Sequence, residues 1–102
     1  MERRKTFEAL RRGRHQRAGP LTVSWVAGDP TEPPRVAFAI GRRVGSAVER
    51  NRLRRRLRMI VREAPCLLPG AYLIGIRPEA SHMAYQDLRA TLIMAIDTVA
   101  RG

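Results

Sequence analysis

Gly45-Ser-Ala-Val-Glu-Arg-Asn-Arg-Leu-Arg-Arg-Arg-Leu-Arg-Met-Ile-Val-Arg-Glu-Ala64, closed by Pro65, has the pattern of a long amphipathic helix rich in arginine. Ser46 followed three residues later by Glu49 forms a capping box, in which each residue can satisfy an amide donor left free at a helix start. Pro65 forbids much continuation, so the helix is expected to run over about 47–64. At about 100° per residue, Leu53, Leu57, Ile60, Val61 and Ala64 fall on one face. Arg52, Arg55, Arg58 and Arg62, with Asn51, project from the opposite one. Seven arginines against Glu49 and Glu63 repel one another, and an anionic partner would relieve that strain. The azimuth of Arg50 falls near the apolar stripe. Two readings stay open for it: a cation held at the rim of a groove, or a side chain that snorkels past the core or bonds to backbone carbonyls.

The flanking segments read as strands. Pro20 to Ala27 alternates, with Leu21, Val23 and Trp25 on one face and Thr22 and Ser24 on the other. Residues 14–18 make a short preceding strand. Gly28 to Pro34 is a turn-rich connection. Arg35 to Gly41 puts Val36, Phe38 and Ile40 on one face, and Ala37 and Ala39 on the other, small enough to lie beneath a helix. Ala71 to Ile76 is a strand with Tyr72, Ile74 and Ile76 on one side. Residues 5–12 read as a short helix with Phe7 and Leu10 on one side and Gly13 as its stop. The last element, about 84–100, repeats Leu88, Leu92, Ala95, Ile96 and Val99 at helical spacing, and Met83 and Met94 are expected to pack.

The 102 residues suffice for one compact domain and are too few for two. Lys and Arg total 20 against 9 Asp and Glu, a net charge of +11, and Lys5 is the only lysine. The excess is confined to residues 1–19, at +5, and residues 35–63, at +8, while residues 64–102 balance. Such clustering is the footprint of a polyphosphate partner. Arginine suits that partner because it binds phosphate in bidentate fashion and stacks on bases. A solvated basic face, or a bias toward arginine, explains the total but not the clustering.

Catalytic constellations are missing. There is no Gly-rich phosphate loop, no zinc-like Cys/His spacing and no nucleophile elbow. His15 and His82 stand alone in sequence and read as surface residues, and no metal site on the protein is expected. The single cysteine, Cys66, excludes an intramolecular disulfide and fits a reducing compartment, so the expected location is cytoplasmic. No apolar run approaches the roughly 20 residues that span a bilayer, and no membrane partner is expected. The residues describe a nucleic-acid-binding module whose chemistry, if any, resides in its partner. Alternating strands without helix-turn-helix spacing disfavour DNA.

The run Arg42-Arg43-x-Gly45-x-Ala47-Val48-x-Arg50-Asn51-Arg52-x-Arg54-Arg55-x-x-Arg58 resembles the Arg-Asn-Arg motif of the bacterial ribonuclease P protein family. The strand Arg35-Val-Ala-Phe-Ala-Ile40, the strand Gly70-Ala-Tyr-Leu-Ile-Gly-Ile-Arg-Pro78 and Phe7 match that family in order and spacing. The similarity covers about residues 6–97. Departures are a short segment before the first helix and Ser24, beside Trp25, where an aromatic is often found.

The resemblance implies a single α+β domain over residues 1–102. Its element order is αβββαβα, and its four-stranded sheet is ribosomal protein S5 domain 2-like, with a left-handed βαβ crossover. It implies an endoribonuclease subunit whose chemistry belongs to a catalytic RNA and to magnesium held mainly by that RNA. The partners implied are ribonuclease P RNA and precursor tRNA. Arg42, Arg43, Arg50, Asn51, Arg52, Arg54, Arg55, Arg58 and Arg62 become the expected contacts to RNA. Phe7, Arg11, Val36 and Phe38 become the expected contacts to the single-stranded 5′ leader, with Phe38 equally readable as core. A ribosomal or general RNA-chaperone protein is the alternative that composition alone leaves open.

Overall fold

The structure, a computed structural model, describes residues 13–64 and 67–101. Strands β1 (Arg14–Ala18), β2 (Leu21–Ala27) and β3 (Arg35–Ile40) come first. A 3-10 turn over Arg42–Val44 leads into helix α1 (Ala47–Glu63), then strand β4 (Gly70–Ile76), a second 3-10 turn (Pro78–His82) and helix α2 (Tyr85–Arg101). This is the expected order. The short helix expected over residues 5–12, with Phe7 and Arg11, lies outside the described residues.

The sheet order is β1-β2-β4-β3. β2 pairs antiparallel with both β1 and β4, whereas β3 runs parallel to β4. Two parallel neighbours need a crossover, and α1 supplies it.

Because paired residues share a face, the register sorts the sheet into two surfaces. One carries the rows Ala18–Leu21–Ile76–Ile40, Gln16–Val23–Ile74–Phe38 and Arg14–Trp25–Tyr72–Val36. Both helices pack on this side. Leu53, Leu57 and Ile60 from α1 join Leu88, Leu92, Ala95, Ile96 and Val99 from α2 and the central strand residues in one core. Tyr72 is buried at the end of that core. Its ring lies 6.3 Å from that of Trp25, and its hydroxyl accepts a hydrogen bond from the Leu68 amide at 2.9 Å. On the far side of Trp25, the Arg14 guanidinium stands 5.9 Å from the ring centre and donates to the Ala100 carbonyl at 3.2 Å. That bond ties the first strand to the end of the last helix.

The opposite surface carries Arg17–Thr22–Gly75–Ala39, His15–Ser24–Leu73–Ala37 and Val26–Ala71–Arg35. Ala37 and Ala39 are exposed here, which corrects the expectation that a helix covers them, because both long described helices lie on the other face. Ser24 is buried, and its hydroxyl sits 2.8 Å from Nδ1 of the exposed His15. A second correction concerns Met94. Met83 packs against the core as expected, but Met94 is 59% exposed, since the buried row of α2 is complete without it.

Candidate nucleic-acid interface

The interface begins where β3 leaves the sheet. Val44 is buried and pins the 3-10 turn, so Arg42 and Arg43 beside it are turned outward and exposed. Gly45 follows at φ 152°, and a Cβ built there would come within 2.5 Å of the Glu49 carboxylate. Glycine at this point lets the chain turn tightly into α1. Ser46 then caps the helix, its hydroxyl accepting from the Glu49 amide at 3.2 Å. The return half of the capping box differs from expectation. The Glu49 carboxylate accepts from the Ser46 hydroxyl at 3.3 Å. Glu49 still places an anion in the first turn, where the helix dipole favours it.

From this start α1 divides as its periodicity predicts. Leu53, Leu57 and Ile60 are buried, Val61 is half-buried against them, and Asn51, Arg52, Arg55, Arg58 and Arg62 are all exposed. Arg54 is half-buried and donates from Nη1 to the Asn51 Oδ1 at 3.2 Å, which holds both side chains at the flank of the exposed face. Among the described residues no carboxylate lies in ion-pair range of any arginine on this helix. Seven arginines, against Glu49 and Glu63, are thus concentrated along about 25 Å of helix without an ion pair among the described residues.

Arg50 is half-buried, with its Nε enclosed and without a hydrogen-bond partner. The absence of a partner disfavours a bond from Nε to a backbone carbonyl. Half-burial at the helix start agrees with an azimuth near the apolar stripe.

Arg77 was not legible as part of this cluster. It belongs to the charge-balanced last third of the sequence, and only the topology brings it in. Ile40 pairs with Ile76, so Arg42, Arg43 and Arg77 leave the sheet at the same end of the parallel pair. Arg77 is exposed, and its amide donates to the Pro20 carbonyl at 2.8 Å, which fixes the chain there.

Of the residues expected at a leader site, Val36 and Phe38 lie on the helix-covered face, half-buried against the core. Of the two readings open for Phe38, packing favours the core one. Among the described residues, no group of three or more His, Cys, Asp or Glu side chains is placed to hold a metal ion. No described helix is long and apolar enough to cross a membrane.

Comparison with known proteins agrees with this geometry. The sequence profile of the family described as Ribonuclease P matches residues 1–100. The ribonuclease P protein component of Thermobifida fusca is 38% identical over 111 residues, spanning 99% of this chain and 76% of that protein. The component from a Nocardioides species is 39% identical over 89 residues, spanning 83% and 76%. Among solved structures, the RNase P protein from Thermotoga maritima superposes with a TM-score of 0.82 at 19% identity, over 97% of this chain and 96% of that one. The Staphylococcus aureus RNase P protein does so with a TM-score of 0.81 at 16% identity, over 96% and 92%. The structural likeness establishes a shared fold, the sequence matches establish descent, and the chain belongs to the ribonuclease P protein family.

Proposed function

We propose that this chain is the protein subunit of a ribonuclease P ribonucleoprotein, an endoribonuclease in which the RNA subunit cleaves the 5′ leader from precursor tRNA. The observation that carries the reading is the two-sidedness of α1. Its apolar row is locked onto the sheet, and its exposed row is a set of unpaired guanidinium groups. Structured RNA is recognised chiefly through phosphates and shape, and an array of this kind is suited to both. Arg52, Arg55, Arg58 and Arg62 contact the catalytic RNA. Arg42, Arg43, Arg50, Asn51 and Arg54 join them at the strand–helix junction, and Arg77 extends the same cluster.

The 5′ leader runs over the sheet surface that faces away from both described helices. Small side chains at Ala37, Ala39 and Gly75 leave a smooth floor, with Arg17 and Arg35 as cations toward its two edges. Phe7 and Arg11 contribute to leader contact in this reading. Val36 and Phe38 support the floor from its packed side.

In this reading magnesium is held mainly by the RNA, as the family resemblance implies, and the protein acts by binding and orienting. A cytoplasmic location fits such a ribonucleoprotein. Family membership favours this reading over a ribosomal or general RNA-chaperone protein.

Arg52→Ala combined with Arg55→Ala tests it. Titration against ribonuclease P RNA over a range of salt concentrations is expected to show weaker binding. It is also expected to show a slope of log K against log salt that is shallower by about 1 to 2, since fewer counterions are released. An unchanged slope would remove both arginines from the contact.

A further inference from the structure

The exposed face of α1 is not uniformly charged. Val48 is 68% exposed and Met59 is 54% exposed, two of the large apolar side chains that the fold leaves in solvent. They stand eleven positions apart, three helical turns, so they point within about 20° of each other and are separated by about 16 Å along the axis. The buried residues Leu53, Leu57 and Ile60 lie on the opposite side of the same helix. Arg55 and Arg62 point most directly away from the core, and Val48 and Met59 stand beside them on the same outward face. Arg52 lies beyond the two apolar side chains on one side, and Asn51 and Arg58 lie beyond Arg62 on the other.

The outward face is the part of the helix that meets a receiving surface. A helix built only for phosphates would place charged or polar groups throughout that face, yet two of its seven residues, Val48 and Met59, are large and apolar. A-form RNA has a major groove too deep and narrow to admit such a helix, and a duplex backbone offers little apolar surface. Unpaired nucleotides differ, because their unstacked bases present apolar faces that take side-chain contact. Charge complementarity from the neighbouring arginines directs this face to RNA.

We infer that Val48 and Met59 are two apolar anchors that seat on unpaired bases of the RNA bound by α1, about 16 Å apart, while the flanking arginines hold the surrounding phosphates. This rests on the proposed binding of α1 to ribonuclease P RNA.

The test compares salt dependence in single variants, using the ribonuclease P RNA of Thermobifida fusca as probe and a plain RNA duplex as competitor. Both side chains are exposed, so Val48→Ala and Met59→Ala should unfold at the temperature of the parent chain. Met59→Ala is expected to weaken binding to the ribonuclease P RNA about tenfold, and Val48→Ala about fivefold, from the apolar surface no longer buried. Neither should change the salt slope or the affinity for the duplex. Parent-like affinity in both variants, while the parent itself binds with a steep salt slope, would overturn the anchors and leave the arginine contacts standing. Equal losses on ribonuclease P RNA and on duplex would also overturn them, because contact with unpaired bases would then be excluded. A parent chain without salt-dependent binding would instead overturn the underlying reading of α1.

Discussion

Ser46 and Gly70 show how single positions shape this molecule, and how differently they appear in a sequence. The Ser46 hydroxyl takes up the Glu49 amide at the head of α1. Ser46→Ala is expected to cost about 1 kcal/mol of unfolding free energy, measured by denaturant titration. The spacing from Ser46 to Glu49 announces that cap, because a cap is local chemistry. Gly70 announces nothing. It sits at φ 136°, and a Cβ there would collide with the Val26 carbonyl and come within 2.9 Å of Nε1 of Trp25. Gly70→Ala is therefore expected to cost about 2 kcal/mol or more, seen as a lowered thermal midpoint. The requirement comes from a crossing between two strands far apart in the chain. The pairing of His15 with the buried Ser24 was hidden for the same reason. Each looks like a separate surface residue until β1 and β2 are laid side by side.

Helices α1 and α2 were the most legible elements, since their buried rows repeat at the helical period over 17 residues each. The strands were legible by alternation, but alternation does not say which side a helix will cover. That is why Ala37 and Ala39 were misjudged, and why the sequence left Phe38 equally readable as core or as leader contact. Met94 was misjudged because proximity to a buried row does not establish membership of it. Docking of α1 is the feature on which its function turns. Leu57 lies at the centre of its buried row, fully enclosed. Leu57→Ala is expected to destabilise the fold by about 2–5 kcal/mol in denaturant titration, through lost burial and the cavity left behind. The exposed arginines remain in place in that variant. RNA affinity measured under conditions where it stays folded is expected to change far less than with Arg52→Ala and Arg55→Ala combined.

Across the whole chain, charge is partitioned rather than spread. The net +11 is concentrated in the first nineteen residues and in the β3–α1 region, while the last third is neutral and contributes most of the packing by α2. That partition was readable from the sequence. The convergence of Arg77 with Arg42 and Arg43 was not, because it depends on β3 and β4 ending together. The molecule is thus one in which the sheet and a neutral last third hold a strongly cationic helix in a fixed orientation, ready for a polyanion too large to enclose. The most direct test is reconstitution with a bacterial ribonuclease P RNA and measurement of precursor tRNA cleavage near physiological ionic strength. Cleavage is expected to rise well above that of the RNA alone when this chain is added, and to fall back when Arg52 and Arg55 are both replaced by alanine. A rate no different from that of the RNA alone would contradict the account.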